Sequence, residues 1–178
     1  KSKGILMIPG IEKRIEGKET LIYAKTKKVI QETLDIKTFE DLRTFRKKHG
    51  KDILIIAPHP FFIKSQCLGN KLEEYSDLFD GVEYSHYYTR LINKNKPGVK
   101  VARKNNLTIF GNSDIHRLYQ IGLTYSRVKA EKNMDSIFEA IRHGKVKVIT
   151  KPLSFFKFIK ITFGLVSSVA IKKPKKLN

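Results

Sequence analysis

The sequence predicts an α/β domain built on a mostly parallel sheet or barrel. Three observations carry that expectation. Short apolar runs of strand length alternate with segments whose apolar residues recur at helical spacing. One run, "DILIIAP" (52–58), is continuously apolar, as a strand buried on both faces of a parallel sheet would be. Several runs lead into Glu, Asp or His, and parallel α/β folds gather functional groups at the carboxyl ends of their strands.

The elements follow in order. "ILMI" (5–8) reads as a strand stopped by Pro9-Gly10, and "TLIYA" (20–24) as a second strand. "EKRIEGKE" between them reads as a hairpin-like connection with Gly17 at its tip. "TFEDLRTFRKKHG" (38–50) predicts a helix capped by Thr38, with Phe39, Leu42 and Phe45 on one face and basic residues in the last turn before Gly50. After the strand 52–58, "KLEEYSDLF" (71–79) predicts a helix and "GVEYSHY" (81–87) a strand. "KPGVKVARKNN" (96–106) predicts a helix, "LTIFG" (107–111) a strand, and "LTYSRVKA" (123–130) a strand or extended segment. "MDSIFEAIRHG" (134–144) predicts a helix capped by Asn133, and "KVKVIT" (145–150) an alternating strand. The boundary falls near 151. Residues 152–178 are apolar with interspersed lysines and no acid, which predicts a C-terminal helix over 154–170 and a basic tail. The apolar run 161–171 is too short to span a membrane but could lie on its surface.

Composition narrows the classes. The chain has 178 residues, 40% hydrophobic and 30% charged, enough for one globular domain with a core. A single cysteine, Cys67, excludes an internal disulfide framework and fits a cytoplasmic setting, with peripheral membrane contact through the tail as an addition. The formal net charge of +19 attracts polyanions, phosphorylated molecules or anionic lipid, although a lysine-rich solvated surface accounts for it equally. No protein partner is inferred. The start Lys-Ser-Lys-Gly, without Met, suggests a fragment or processed chain.

The strand ends carry the chemistry. The first apolar run leads through Pro-Gly to Glu12, the strand 52–58 ends at His59, and 107–111 leads to Asp114 and His116 in "IFGNSDIHRL". Residues two apart on a strand point the same way, so Asp114 and His116 would project together. Carboxylate and imidazole donors gathered at one mouth select Zn, Mn or Fe over Ca or Mg. There is no Gly-x-Ser-x-Gly and no P-loop to support a competing nucleophile or nucleotide site.

"IPGIE", "IIAPHP", "GVEYS" and "ARKNNLTIFGNSDIH", in that order over residues 4 to about 150, resemble the successive motifs of the PHP (polymerase and histidinol phosphatase) family of metal-dependent phosphoesterases. The resemblance implies a distorted (β/α)7 barrel with a multinuclear metal site at its mouth. It implies Glu12 as metal-bridging glutamate, His59 as the histidine of a His-Pro motif, and Asp114 and His116 as closing ligands. The family's opening His-x-His and later Asp-His motifs have no counterpart, since none of the five histidines precedes Glu12. The expectation is an N-terminally incomplete barrel that is weak or inactive alone. His86 is expected as a substrate contact or accessory ligand, and Arg90 and Arg117 as phosphate-binding groups. The expected activity is hydrolysis of a phosphoester, in a nucleotide, an oligonucleotide or a metabolite, with Zn, Mn or Fe. The alternative is a non-catalytic basic nucleic-acid-binding module or an inactive fragment.

Overall fold

A tight hairpin opens the structure, a computed structural model that describes residues 4–116 and 118–162. Strands β1 (Gly10–Ile15) and β2 (Lys18–Ala24) pair antiparallel around the two-residue loop Glu16-Gly17. Both loop residues have positive φ, 48° and 76°, the type I′ geometry that matches strand twist and favours Gly at the second position. Gly17 thus sits at the hairpin tip and β2 covers the expected strand 20–24, whereas β1 lies where the sequence suggested a connection and the expected strand 5–8 is irregular chain. Ile5 and Met7 are exposed, and Pro9, which has no amide hydrogen, contributes only its carbonyl, accepting from the Ala24 amide at 3.0 Å.

Helix α1 (Lys27–Glu32) follows, capped by the Thr26 hydroxyl. Helix α2 (Phe39–His49) has a full capping box: the Thr38 side chain accepts from Asp41 N, and Asp41 accepts from Thr38 N. Its Phe39, Leu42 and Phe45 are buried, each worth about 1.5–3 kcal/mol if fully removed from water. Strand β3 (Ile53–Ala57) then runs through the core. Helix α3 (Lys71–Glu74) is one turn, extended by a 3-10 turn at Ser76–Leu78, shorter than the helix expected over 71–79. Strand β4 (Gly81–Ser85), helix α4 (Asn95–Lys104) and strand β5 (Thr108–Asn112) make a parallel crossover. Strands β6 (Thr124–Val128) and β7 (Val146–Thr150) flank α5 (Met134–Arg142), which the Asn133 side chain caps. A helix over 155–162 begins behind Ser154, whose hydroxyl accepts from Lys157 N. The remainder of the helix expected to 170, and the basic tail, lie outside the described residues.

The sheet order is β1-β2-β3-β4-β5, with β1, β2 and β3 antiparallel and β3, β4 and β5 parallel. β6 and β7 form a separate antiparallel pair. This corrects the expected (β/α)7 barrel: the architecture is a mixed α/β fold in which no barrel closes among the described residues. A barrel would need both sheet edges to find strand partners. The outer side of β5 is instead met by a side chain, since Gly111 N donates to Ser126 Oγ at 2.8 Å and Ser126 Oγ donates to Gly111 O at 3.1 Å. Gly111 permits that approach, because a Cβ there would lie 2.8 Å from Val148 Cγ1.

The two faces of the sheet differ. One buries Ile15, Ile22, Ile55 and Val82 with α2 and α4 in the main core. The other packs Leu54, Tyr23 and Phe110 against Phe138 and Ile141 of α5. Asp80 ties the helices to the sheet beneath: it accepts two hydrogen bonds from Arg46 at 2.9 Å and one from Ile55 N at 2.8 Å, and Arg142 approaches to 3.4 Å. No helix among the described residues is long and apolar enough to cross a membrane.

Candidate metal centre

The parallel strands β3, β4 and β5 point their carboxyl ends the same way, and a His or Asp follows each within two residues. His59 lies two residues beyond β3, His86 one beyond β4, and Asp114 two beyond β5. Two of these turns use left-handed backbone at non-glycine residues, His59 at φ 52° and Asp114 at φ 41°. Such positions cost of order 1–3 kcal/mol and persist where the surroundings fix them.

Three of the four expected ligands come together. His59 Nε2 lies 3.9 Å from Asp114 Oδ2, and His116 Nδ1 lies 3.5 Å from Asp114 Oδ1. His116 Nδ1 also lies 3.0 Å from the Asp114 carbonyl. The pair is thus brought together by a turn after β5 and not by strand alternation. Glu12 sits within β1, in a row Glu12–Leu21–Ile56–Gly81 across the sheet, on the same face as Glu83. It comes within electrostatic range of His59, Asp114 and His116 without an ion pair to them. Its carboxyl pKa is raised, first by loss of hydration and then by Glu19, with the two histidines opposing.

Residues that sequence reasoning did not assign as ligands complete the surroundings. Glu83 is only 3% exposed, and its Oε1 has no hydrogen-bond partner. Burial pushes its pKa well up, and Asp114, Glu12 and Glu19 add to the rise. An acid inside the apolar strand "GVEYS" was the available signal. Glu19, His59 and Cys67 form a second donor group, all buried, with ligand atoms within 4.8 Å of one another, which could hold a metal ion. His59 Nδ1 faces Cys67 Sγ at 3.9 Å, so the two ring nitrogens face two different donor sets. Burial, followed by Glu19, raises the Cys67 thiol pKa. Cys67 offered no sequence signal; Glu19 becomes visible only once Gly17 fixes the hairpin register.

Gln120 organises the opposite wall. Its Oε1 accepts from His116 N at 2.7 Å, and its Nε2 meets His86 Nε2 at 3.2 Å. His86 is 2% exposed, and burial lowers its pKa, favouring the neutral ring. Its Nδ1 makes no hydrogen bond of good geometry, although the Ser113 backbone lies close enough to favour the charged form. Arg90 is exposed and does not line the cavity beside these groups, and Arg117 lies outside the described residues.

The donor set fits a divalent cation. Neutral imidazole and carboxylate oxygen are ligands for Zn, Mn or Fe. A buried carboxylate with an unpartnered oxygen, amid three further carboxylates, is costly without positive charge beside it. Residues 93–146, spanning α4 to the start of β7 and including Asp114 and His116, match the family described as PHP-associated. The chain is similar in fold to the crystal structure of PsfC from Pseudomonas syringae PB-5123, with a TM-score of 0.61 at 17% identity over 95% of this chain and 68% of that one. No curated protein matches the sequence.

Proposed function

We propose that this PHP-related chain carries the metal-holding wall of a site that hydrolyses phosphoesters. The observation that carries the reading is the meeting of His59, Asp114 and His116 at the carboxyl ends of parallel strands, beside a buried carboxylate that lacks a partner. Asp114, His59 and His116 would hold the ion, Glu12 would join from the hairpin, and His86 would serve as accessory ligand or substrate contact. A bound Zn, Mn or Fe ion supplies Lewis-acid polarisation of the phosphoryl group and a water of lowered pKa. The protein's own part is orientation. Gln120 fixes the His116 main chain and the His86 ring, and left-handed turns aim His59 and Asp114. Lys64 and Lys94, which line the adjoining cavity, offer positive charge to the phosphate.

The test is metal titration with Mn²⁺ and Zn²⁺ alongside hydrolysis of a generic phosphodiester and phosphomonoester. His116→Ala and Asp114→Asn should each lower metal affinity and hydrolysis at least about tenfold to a hundredfold, the scale seen even for groups that merely support ligands. Wild-type metal affinity and rate in both variants would sink the assignment. The net charge favours one other reading, a basic module that binds nucleic acid without metal. Chelation separates them, because it abolishes hydrolysis and leaves charge-driven binding intact.

A further inference from the structure

We propose that the cavity beside His59 and His116 is built for a phosphoester whose organic part is a flat aromatic ring, with Tyr87 and Phe158 as its selective wall; this rests on the phosphoester reading above. The cavity measures about 460 Å³, within the range that encloses a small organic ligand. Its lining mixes two chemistries. His59, His86, Asp114 and His116 line it together with Phe62, Tyr87, Ile92, Phe158 and Ile161. Lys64 and Lys94 also reach it. An occupant that carries both an anionic group and an apolar part matches that lining.

The apolar wall is aromatic in a connected way. His59 meets Phe62 edge-on with ring centroids 6.0 Å apart, Phe62 lies 6.1 Å from Tyr87, and Tyr87 stacks on Phe158 at 4.5 Å and 19°. A run of rings thus leads from a candidate metal ligand to the helix over 155–162. The faces that Tyr87 and Phe158 turn to each other are already in contact, so a ligand ring would meet this run at its edges or outer faces. Tyr87 is held in place by a hydrogen bond between its hydroxyl and Thr162 Oγ1. The helix over 155–162 is consequently part of the ligand site, and a sugar or polyol phosphate would find few hydroxyls to pair with, since Tyr87 and Thr162 already bond to each other. A nucleoside phosphate places a ribose at that same position, so a ring close to the phosphate fits better.

The experiment uses non-hydrolysable probes on the full chain: calorimetric titration with 1-naphthylmethylphosphonate, hexylphosphonate and methylphosphonate, at fixed Mn²⁺ and again in chelator. The naphthyl compound should bind at least about tenfold more tightly than either of the others, the scale of discrimination that a single apolar pocket provides. In Phe158→Leu, which keeps the helix apolar, and in Tyr87→Leu, that ratio should fall towards one while circular dichroism stays unchanged. Equal affinity for naphthyl and hexyl probes, or a ratio that survives both substitutions, overturns the proposal. Hydrolysis is scored separately: aryl binding without any phosphoester turnover refutes the catalytic reading alone, and turnover without aryl preference refutes this inference alone.

Discussion

Glu83 shows at the level of a single side chain how the site is poised. The folded protein holds its proton to higher pH than the unfolded chain does. Its stabilising contribution is therefore complete below the ordinary carboxylate pKa and is lost as pH rises through the raised folded value. In metal-free protein, Glu83→Gln should raise the melting temperature at pH 8 by about 2–4 °C, the shift expected from about 1 kcal/mol in a chain of this size, and by less at pH 5. A melting temperature lowered equally at both pH values would mean that Glu83 is held by bonds the Gln cannot make. A second residue-scale prediction concerns Gln120. Gln120→Leu should weaken metal binding through the loosened His116 turn while leaving the fold intact, and Gln120→Glu should restore it in part by keeping the acceptor for His116 N. Metal titration of both variants checks this. The sequence made His59, Asp114 and His116 legible because their residue types and strand-end positions restrict the chemistry. It hid Glu19 and Cys67, because each meets His59 only through tertiary contact.

Among the elements, α2 was legible throughout, since its cap, its apolar face and its terminal glycine all agree with one another. The parallel strands β3, β4 and β5 were legible for the same reason. The hairpin was legible only in its tip at Gly17 and its second strand, because charged residues fill β1 and conceal the first; the alternation Gly10, Glu12, Arg14 against Ile11, Lys13, Ile15 becomes visible only when one face is known to be core. Helix α1 was missed, because its stability comes from the Thr26 cap and partial packing of Val29 and Ile30. The closed barrel was an inference from resemblance, and no local pattern could report that Ser126 would occupy the outer side of β5. Gly111 tests that contact. Gly111→Val should cost about 1–3 kcal/mol, as overpacking does, because a Cβ would press on Val148 and the Tyr125 carbonyl. Denaturant melts measure it, and an unchanged midpoint would mean that β6 and β7 can retreat freely.

Over the whole molecule, a net charge of +19 sets a field that reaches beyond any one site. Binding of a fluorescent single-stranded oligonucleotide should be measurable in 20 mM salt, fall steeply by about 200 mM, and be insensitive to chelator. Binding that persists at high salt and disappears with chelator would instead place the oligonucleotide at the candidate metal centre. The mixed sheet has a further consequence, in time. The hairpin of β1 and β2 joins neighbours in sequence, and such units form within about 1–10 μs. His59 and Asp114 meet only after two successive crossovers have closed, and distant contacts are made late because their loops must first be ordered. The donor cluster is therefore expected to form late in folding, after the hairpin that carries Glu12 and Glu19. Metal present during refolding should leave the folding rate unchanged and slow only unfolding, so that the ion acts as a latch on a finished molecule and not as its nucleus.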